Sequence, residues 1–71
     1  SYDEYIVDYY QIAADLSSDF WFEELPYIKT LIENNLSKEY GEEIRHKFLW
    51  LKEYHNEACK NNGYEDMMIS D

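Results

Sequence analysis

Apolar residues recur at three- and four-residue intervals along most of this chain, the spacing of helices that bury one face. Over residues 3–16, Tyr2, Ile6, Tyr9, Ala13 and Leu16 fall together, and that face is expected to be the core side. Glu4, Asp8, Gln11 and Asp15 share the same spacing on the opposite face, a polar stripe with three carboxylates and no base in the segment to answer them. Tyr5, Val7, Tyr10 and Ile12 occupy the flanks. The apolar arc is therefore wide, enough for contact with more than one neighbour.

Ser17, Ser18 and Asp19 read as a stop followed by a fresh N-cap, because short polar side chains bond the free N–H groups that open a helix. An acidic, aromatic segment follows over residues 19–24, Phe20-Trp21-Phe22-Glu23-Glu24 after Asp19, and is read as a short turn of helix. Pro26 suits a first helical turn, so a second long helix is predicted over 26–36, burying Ile28, Leu31, Ile32 and Leu36. A third is predicted over 38–61, with Ser37 or Gly41 as its starting point. Ile44, Phe48, Leu51, His55 and Ala58 line its core face, widened by Trp50 and Tyr54. Gly63 after Asn61 and Asn62 is a natural stop, with Lys60 well placed against the helix dipole. Residues 64–71 show no period and read as a frayed tail, with docking of Met67, Met68 and Ile69 onto the bundle as the other course. The whole predicts an all-α fold, one domain over 1–71, built as a small three-helix antiparallel bundle with short connections.

Composition narrows the picture. A chain of 71 residues holds one core and buries only about 60% of its unfolded surface. Its 45% hydrophobic content, with 18% aromatics, is enough apolar material to oppose disorder. The longest apolar run, Phe48 to Leu51, falls far short of the roughly 18 residues of a membrane span, and no basic-then-apolar segment opens the sequence. The single Cys59 forms no internal disulfide, which suits a reducing compartment. A soluble, cytoplasmic protein is expected.

Charge changes it more. The net charge is −10, which opposes direct binding to nucleic acid. Residues 1–28 hold seven acidic groups (Asp3, Glu4, Asp8, Asp15, Asp19, Glu23, Glu24) and no Lys or Arg, whereas residues 29–60 hold six of each sign. Glu65, Asp66 and Asp71 supply the rest of the excess.

Candidate chemistry is sparse. Glu43-x-x-His46 has the spacing that turns a carboxylate and an imidazole toward one metal, but it occurs once, where di-metal bundles carry it twice. His55 and Cys59, four apart, supply two of the four ligands a structural zinc needs, with only His46 as a further nitrogen. There is no nucleophile triad, phosphate loop or nucleotide fingerprint. No metal, cofactor or catalytic activity is expected.

What remains is carboxylates interleaved with aromatics. Surplus charge alone keeps a small protein soluble, yet solubility does not require that one end lack bases altogether. The favoured expectation is a non-enzymatic inhibitor or decoy that occupies a basic groove, such as the nucleic-acid site of a nuclease. Glu4, Asp8, Asp15, Asp19, Glu23 and Glu24 would carry the charge, and Tyr5, Tyr10 and Trp21 would serve as anchors. Phage anti-restriction and anti-CRISPR proteins are similar in composition alone: small, acidic and non-enzymatic. An immunity protein or antitoxin against a basic toxin nuclease fits the same features. A structural bundle that self-associates through its wide apolar arcs, as a homodimer for instance, is the alternative of a different class.

Overall fold

The computed structural model describes residues 2–16 and 19–71. Among them, four α-helices and a 3₁₀ turn make up the regular structure, and there is no strand: α1 (Tyr2–Asp15), α2 (Asp19–Glu23), α3 (Leu25–Leu36), α4 (Glu42–Asn61) and the 3₁₀ turn Glu65–Met67. The fold is all-α as the periodicity predicts, but the helices number four, because the aromatic segment is a helix in its own right. The Ser17–Ser18 stop and cap, and the side chain of Tyr2, lie outside the described residues.

Pro26 sits in the first turn of α3, where its fixed φ and missing N–H do no harm. α4 begins at Glu42, so that Gly41 and not Ser37 is its starting point and the helix opens four residues after position 38. The cause is Tyr40. Residues 39–41 are not helical, and the Tyr40 ring stacks on Phe48 with centroids 5.7 Å apart, while its hydroxyl donates to Asn35 Oδ1 at 2.7 Å. The Asn35 amide in turn donates to Leu31 O at 2.8 Å, so this buried polar residue of α3 is satisfied. Gly41 then caps α4 in extended backbone, with Glu42 and Glu43 in the first turn and Lys60 in the last, each favourable to the helix dipole.

The end of α4 is a Schellman turn. Gly63 takes φ +81°, and the Tyr64 N–H bonds back to Cys59 O at 2.7 Å. Gly63→Ala is expected to cost about 1–2 kcal/mol, since a Cβ is strained at positive φ. No neighbouring atom crowds the site, so the strain is purely backbone. A thermal melt checks it, and Gly63→Asn, better suited to that conformation, should lose less.

That turn sends the tail back along α4, and the expectation of a frayed end is wrong. Ile69 is in the core. Asn56 clamps it by two bonds, its amide donating to Ile69 O at 2.9 Å and its oxygen accepting from Ile69 N at 2.7 Å. Lys52 pairs with Asp71 and holds that carboxyl below the usual carboxylate range. Docking replaces fraying because two polar side chains of α4, His55 and Asn56, take up backbone groups that a free tail would give to water.

The core centres on Trp21. It is wholly buried and meets Tyr54 edge-on at 4.9 Å and Tyr10 edge-on at 6.2 Å. Its indole N–H donates to His55 Nδ1 at 3.1 Å. Leu25, Ile28 and Ile32 from α3, and Phe48, Leu51 and Cys59 from α4, are buried with it. α1 packs mainly on α4 and contributes Val7, Tyr10 and Ala14.

Candidate interaction surface

The buried row of α1 is not the one the spacing predicts. Tyr9 and Leu16, expected inside, are 50% and 72% exposed, and Tyr5 and Ile12 are 70% and 61% exposed. The core side is instead Val7, Tyr10 and Ala14, with Ile6 and Ala13 partly covered beside them. The shift amounts to one residue, about 100° around the helix. Small Val7 and Ala14 bring α1 close to its neighbours, and in this rotation Lys47 of α4 donates to Asp8 Oδ1 at 2.7 Å.

Three rows therefore divide α1. At about 100° per residue, the core row is followed by the carboxylate row Glu4, Asp8, Asp15, and next by an exposed apolar row, Tyr5, Tyr9, Ile12, Leu16. The last two lie side by side on the outer face. Two hollows follow the apolar row on its far side. One, of about 230 Å³, lies between Tyr5, Tyr9 and Tyr27 over Ile6 and Tyr10. The other, of about 190 Å³, lies between Tyr9, Ile12, Leu16 and Phe20 over Ala13. Tyr9 separates them, and its ring meets Tyr10 edge-on at 5.2 Å.

The predicted anchors divide accordingly. Tyr5 is on the surface, but Trp21 is wholly buried and Tyr10 nearly so. These two hold the core and are not surface anchors: Trp21, on a short helix between two long ones, and Tyr10, on the packed side of α1, are drawn inward by the area they remove from water. Burial, together with the adjacent Tyr27, pushes the Tyr10 phenol well above its ordinary range. Tyr9, Ile12 and Leu16 are the surface residues that periodicity assigns elsewhere. The available signal was the width of the apolar arc, broader than one packed face covers.

All six predicted carboxylates, Glu4, Asp8, Asp15, Asp19, Glu23 and Glu24, are exposed. They are not uniformly unopposed, since Asp8 is paired with Lys47, whose ammonium is raised by that hydrogen bond above all. Glu4, Asp8, Glu43 and Lys47 share one broad cleft at the start of α4. Among the described residues, Asp15, Asp19, Glu23 and Glu24 enter no ion pair.

The residues with metal-ligand spacing do other work or none. Glu43 and His46 are both exposed, and no group of three or more His, Cys, Asp or Glu is gathered for a metal among the described residues. His55 is wholly buried between Trp21 and the tail. Its Nδ1 accepts from Trp21, so the proton sits on Nε2 and is donated to Met67 O at 2.8 Å. Burial is the main force pushing its pKa down, with Lys29 adding to it. Cys59 Sγ lies 3.5 Å from the same nitrogen, and burial raises that thiol, the opposite of an activated thiolate. No helix is long and apolar enough among the described residues to cross a membrane.

No family model, curated protein or solved structure matches this chain. Its function has to be read from its own surface.

Proposed function

We propose that this chain is a non-enzymatic, cytoplasmic binding protein that occupies a basic surface of a nucleic-acid-handling protein such as a nuclease, as an inhibitor or decoy. The observation that carries the reading is the outer side of α1, where the exposed carboxylates Glu4, Asp8 and Asp15 stand beside an exposed apolar row, with Asp19, Glu23 and Glu24 also exposed on the segment that follows. Charge of one sign raises the encounter rate with a basic partner and selects it, and the apolar row supplies the contact area that holds it. Pure phosphate mimicry needs carboxylates alone. The presence of Tyr5, Tyr9, Ile12 and Leu16 among them favours a protein surface of mixed character. In this reading α1, α3 and α4 form an antiparallel bundle that serves as a rigid support for α1.

The test is a pull-down from host lysate at low and high salt, followed by mass spectrometry. Wild type is expected to recover a basic nuclease or nucleic-acid-binding protein, released by high salt or by competing nucleic acid. Asp15→Lys, Glu23→Lys and Glu24→Lys combined should abolish recovery while leaving the helical circular dichroism intact, because these side chains are exposed and outside any described ion pair. Undiminished recovery by the triple variant would sink the proposal.

A self-associating bundle is the second reading, and the exposed apolar row favours it too. Charge opposes it, since each copy brings a further −10 and no base within residues 1–28. A stable dimer by light scattering at micromolar concentration would decide for it.

A further inference from the structure

The outer face of α1 has a shape as well as a charge. The apolar row runs straight from Tyr5 to Leu16, about 16 Å at 1.5 Å per residue. Phe20 of α2 and Tyr27 of α3 wall the two hollows on one side of it, and the carboxylate row of Glu4, Asp8 and Asp15 lies along the other. The feature is thus a linear apolar track with acid along one flank and aromatic walls on the other. The hollows are centred about five residues apart, some 7–8 Å along the axis, a little more than the roughly 6 Å between i and i+4 on an opposing helix, a difference that long side chains span by splaying apart.

The geometry points to a basic amphipathic helix of the partner, laid lengthwise along α1, as the occupant of this track. Its apolar side chains, at i and i+4, fill the hollows on either side of Tyr9, and its Lys or Arg residues flank them and meet Asp15 and the neighbouring carboxylates. A second copy of this chain fits the apolar row but supplies no matching base from its own α1. A lipid surface with anionic headgroups is repelled by the same carboxylates. The inference rests on the proposed binding role and adds the form of the partner element.

Two helical peptides of about 18 residues, long enough to form a helix on contact, serve as probes. Both carry the same Lys residues, and one bears a Leu row at helical spacing where the other bears Ser. Titration calorimetry and amide chemical shifts of the full chain provide the readout. The Leu peptide is expected to bind and to shift amides from Tyr5 to Leu16. The Ser peptide, and the variants Ile12→Ser and Asp15→Lys with the Leu peptide, should each bind about tenfold more weakly or worse, the loss of one anchoring contact. Both substituted side chains are exposed, so folding is retained. Equal binding of the Leu and Ser peptides would overturn the lengthwise helix while leaving the basic-surface reading standing. No binding of either peptide would remove both. Shifts along α1 that grow with protein concentration before peptide is added would assign the track to a second copy and overturn the inference.

Discussion

Replacing Trp21 with Ala is expected to leave this chain without a cooperative fold at 37 °C. A domain of 71 residues has roughly 4–10 kcal/mol of stability at about 0.05–0.15 kcal/mol per residue. Truncating a wholly buried Trp removes about 3–5 kcal/mol through lost burial and the void it leaves. The loss also strips His55 Nδ1 of its only described donor, and an unsatisfied buried group adds about 1–3 kcal/mol. The sum reaches most or all of the margin. A melt followed by far-ultraviolet circular dichroism checks it, and a transition within a few degrees of wild type would refute the central place given to Trp21. Two comparisons separate the causes. Trp21→Phe keeps most of the apolar bulk but not the N–H, so it isolates the bond to His55 and should cost about 1–3 kcal/mol. Trp50→Ala, on a residue 39% exposed that stacks on Tyr54, should cost far less.

The contrast bears on function. Aromatics of this chain fall into two sets with different tasks, and their sequence positions do not sort them. Trp21 and Tyr10 hold the fold, whereas Tyr5 and Tyr9 face outward. A variant at Trp21 that weakens partner binding acts through unfolding; a variant at Ile12 that does so acts at the surface.

The reasons the sequence was partly legible are local. In α3 and α4 the apolar arcs are narrower than in α1, so Ile28, Ile32, Phe48, Leu51 and His55 are buried as their spacing predicts, while Leu31, Leu36, Ile44, Tyr54 and Ala58 are half-buried and Trp50 is exposed. Pro26 fixes φ and Gly63 accepts a positive φ that other residues avoid, and both ends are where those properties put them. α1 defeats the same method because its apolar residues cover well over half the circumference. Periodicity then admits several faces, and the selection is made by packing against elements remote in sequence, α4 above all, which also places Lys47 beside Asp8. The tail fails for a similar reason. Its ordering depends on His55 and Asn56 reaching backbone groups of Met67 and Ile69, and no local pattern in residues 64–71 announces them. The acidic face was legible as composition, but its neighbour, the exposed apolar row, could be seen only once the rotation of α1 was known.

His55 joins the three parts that sequence reading kept separate, and acid should undo the join. Its ring accepts from Trp21 of α2 on one side and donates to Met67 of the tail on the other, a pattern open only to the neutral imidazole. Protonation puts a hydrogen on Nδ1, directed at the indole N–H. Burial disfavours the added charge most; the bond to the Met67 carbonyl opposes that effect, Lys29 reinforces it and Glu33 opposes it weakly, and the net effect is a lowered pKa. The folded pKa is therefore below the unfolded one, about 6.5. The stability this residue contributes is complete above the unfolded value and declines as pH falls from there through the folded value, by at most about 1.4 kcal/mol per pH unit for one proton. Ordinary carboxylates titrate near 4, so the interval from about 6.5 to 5 belongs to histidine. Urea melts should show a falling midpoint across that interval, and hydrogen exchange should quicken first at Met67 to Ile69. His55→Leu tests the assignment directly. It should cost about 2–6 kcal/mol at neutral pH, because Trp21 N–H and Met67 C=O both lose their partner. Whatever remains folded should show a flattened slope between pH 6.5 and 5. A full slope in His55→Leu would place the titrating group elsewhere, and an undiminished midpoint at neutral pH would mean that the buried relay from α2 to the tail holds nothing together.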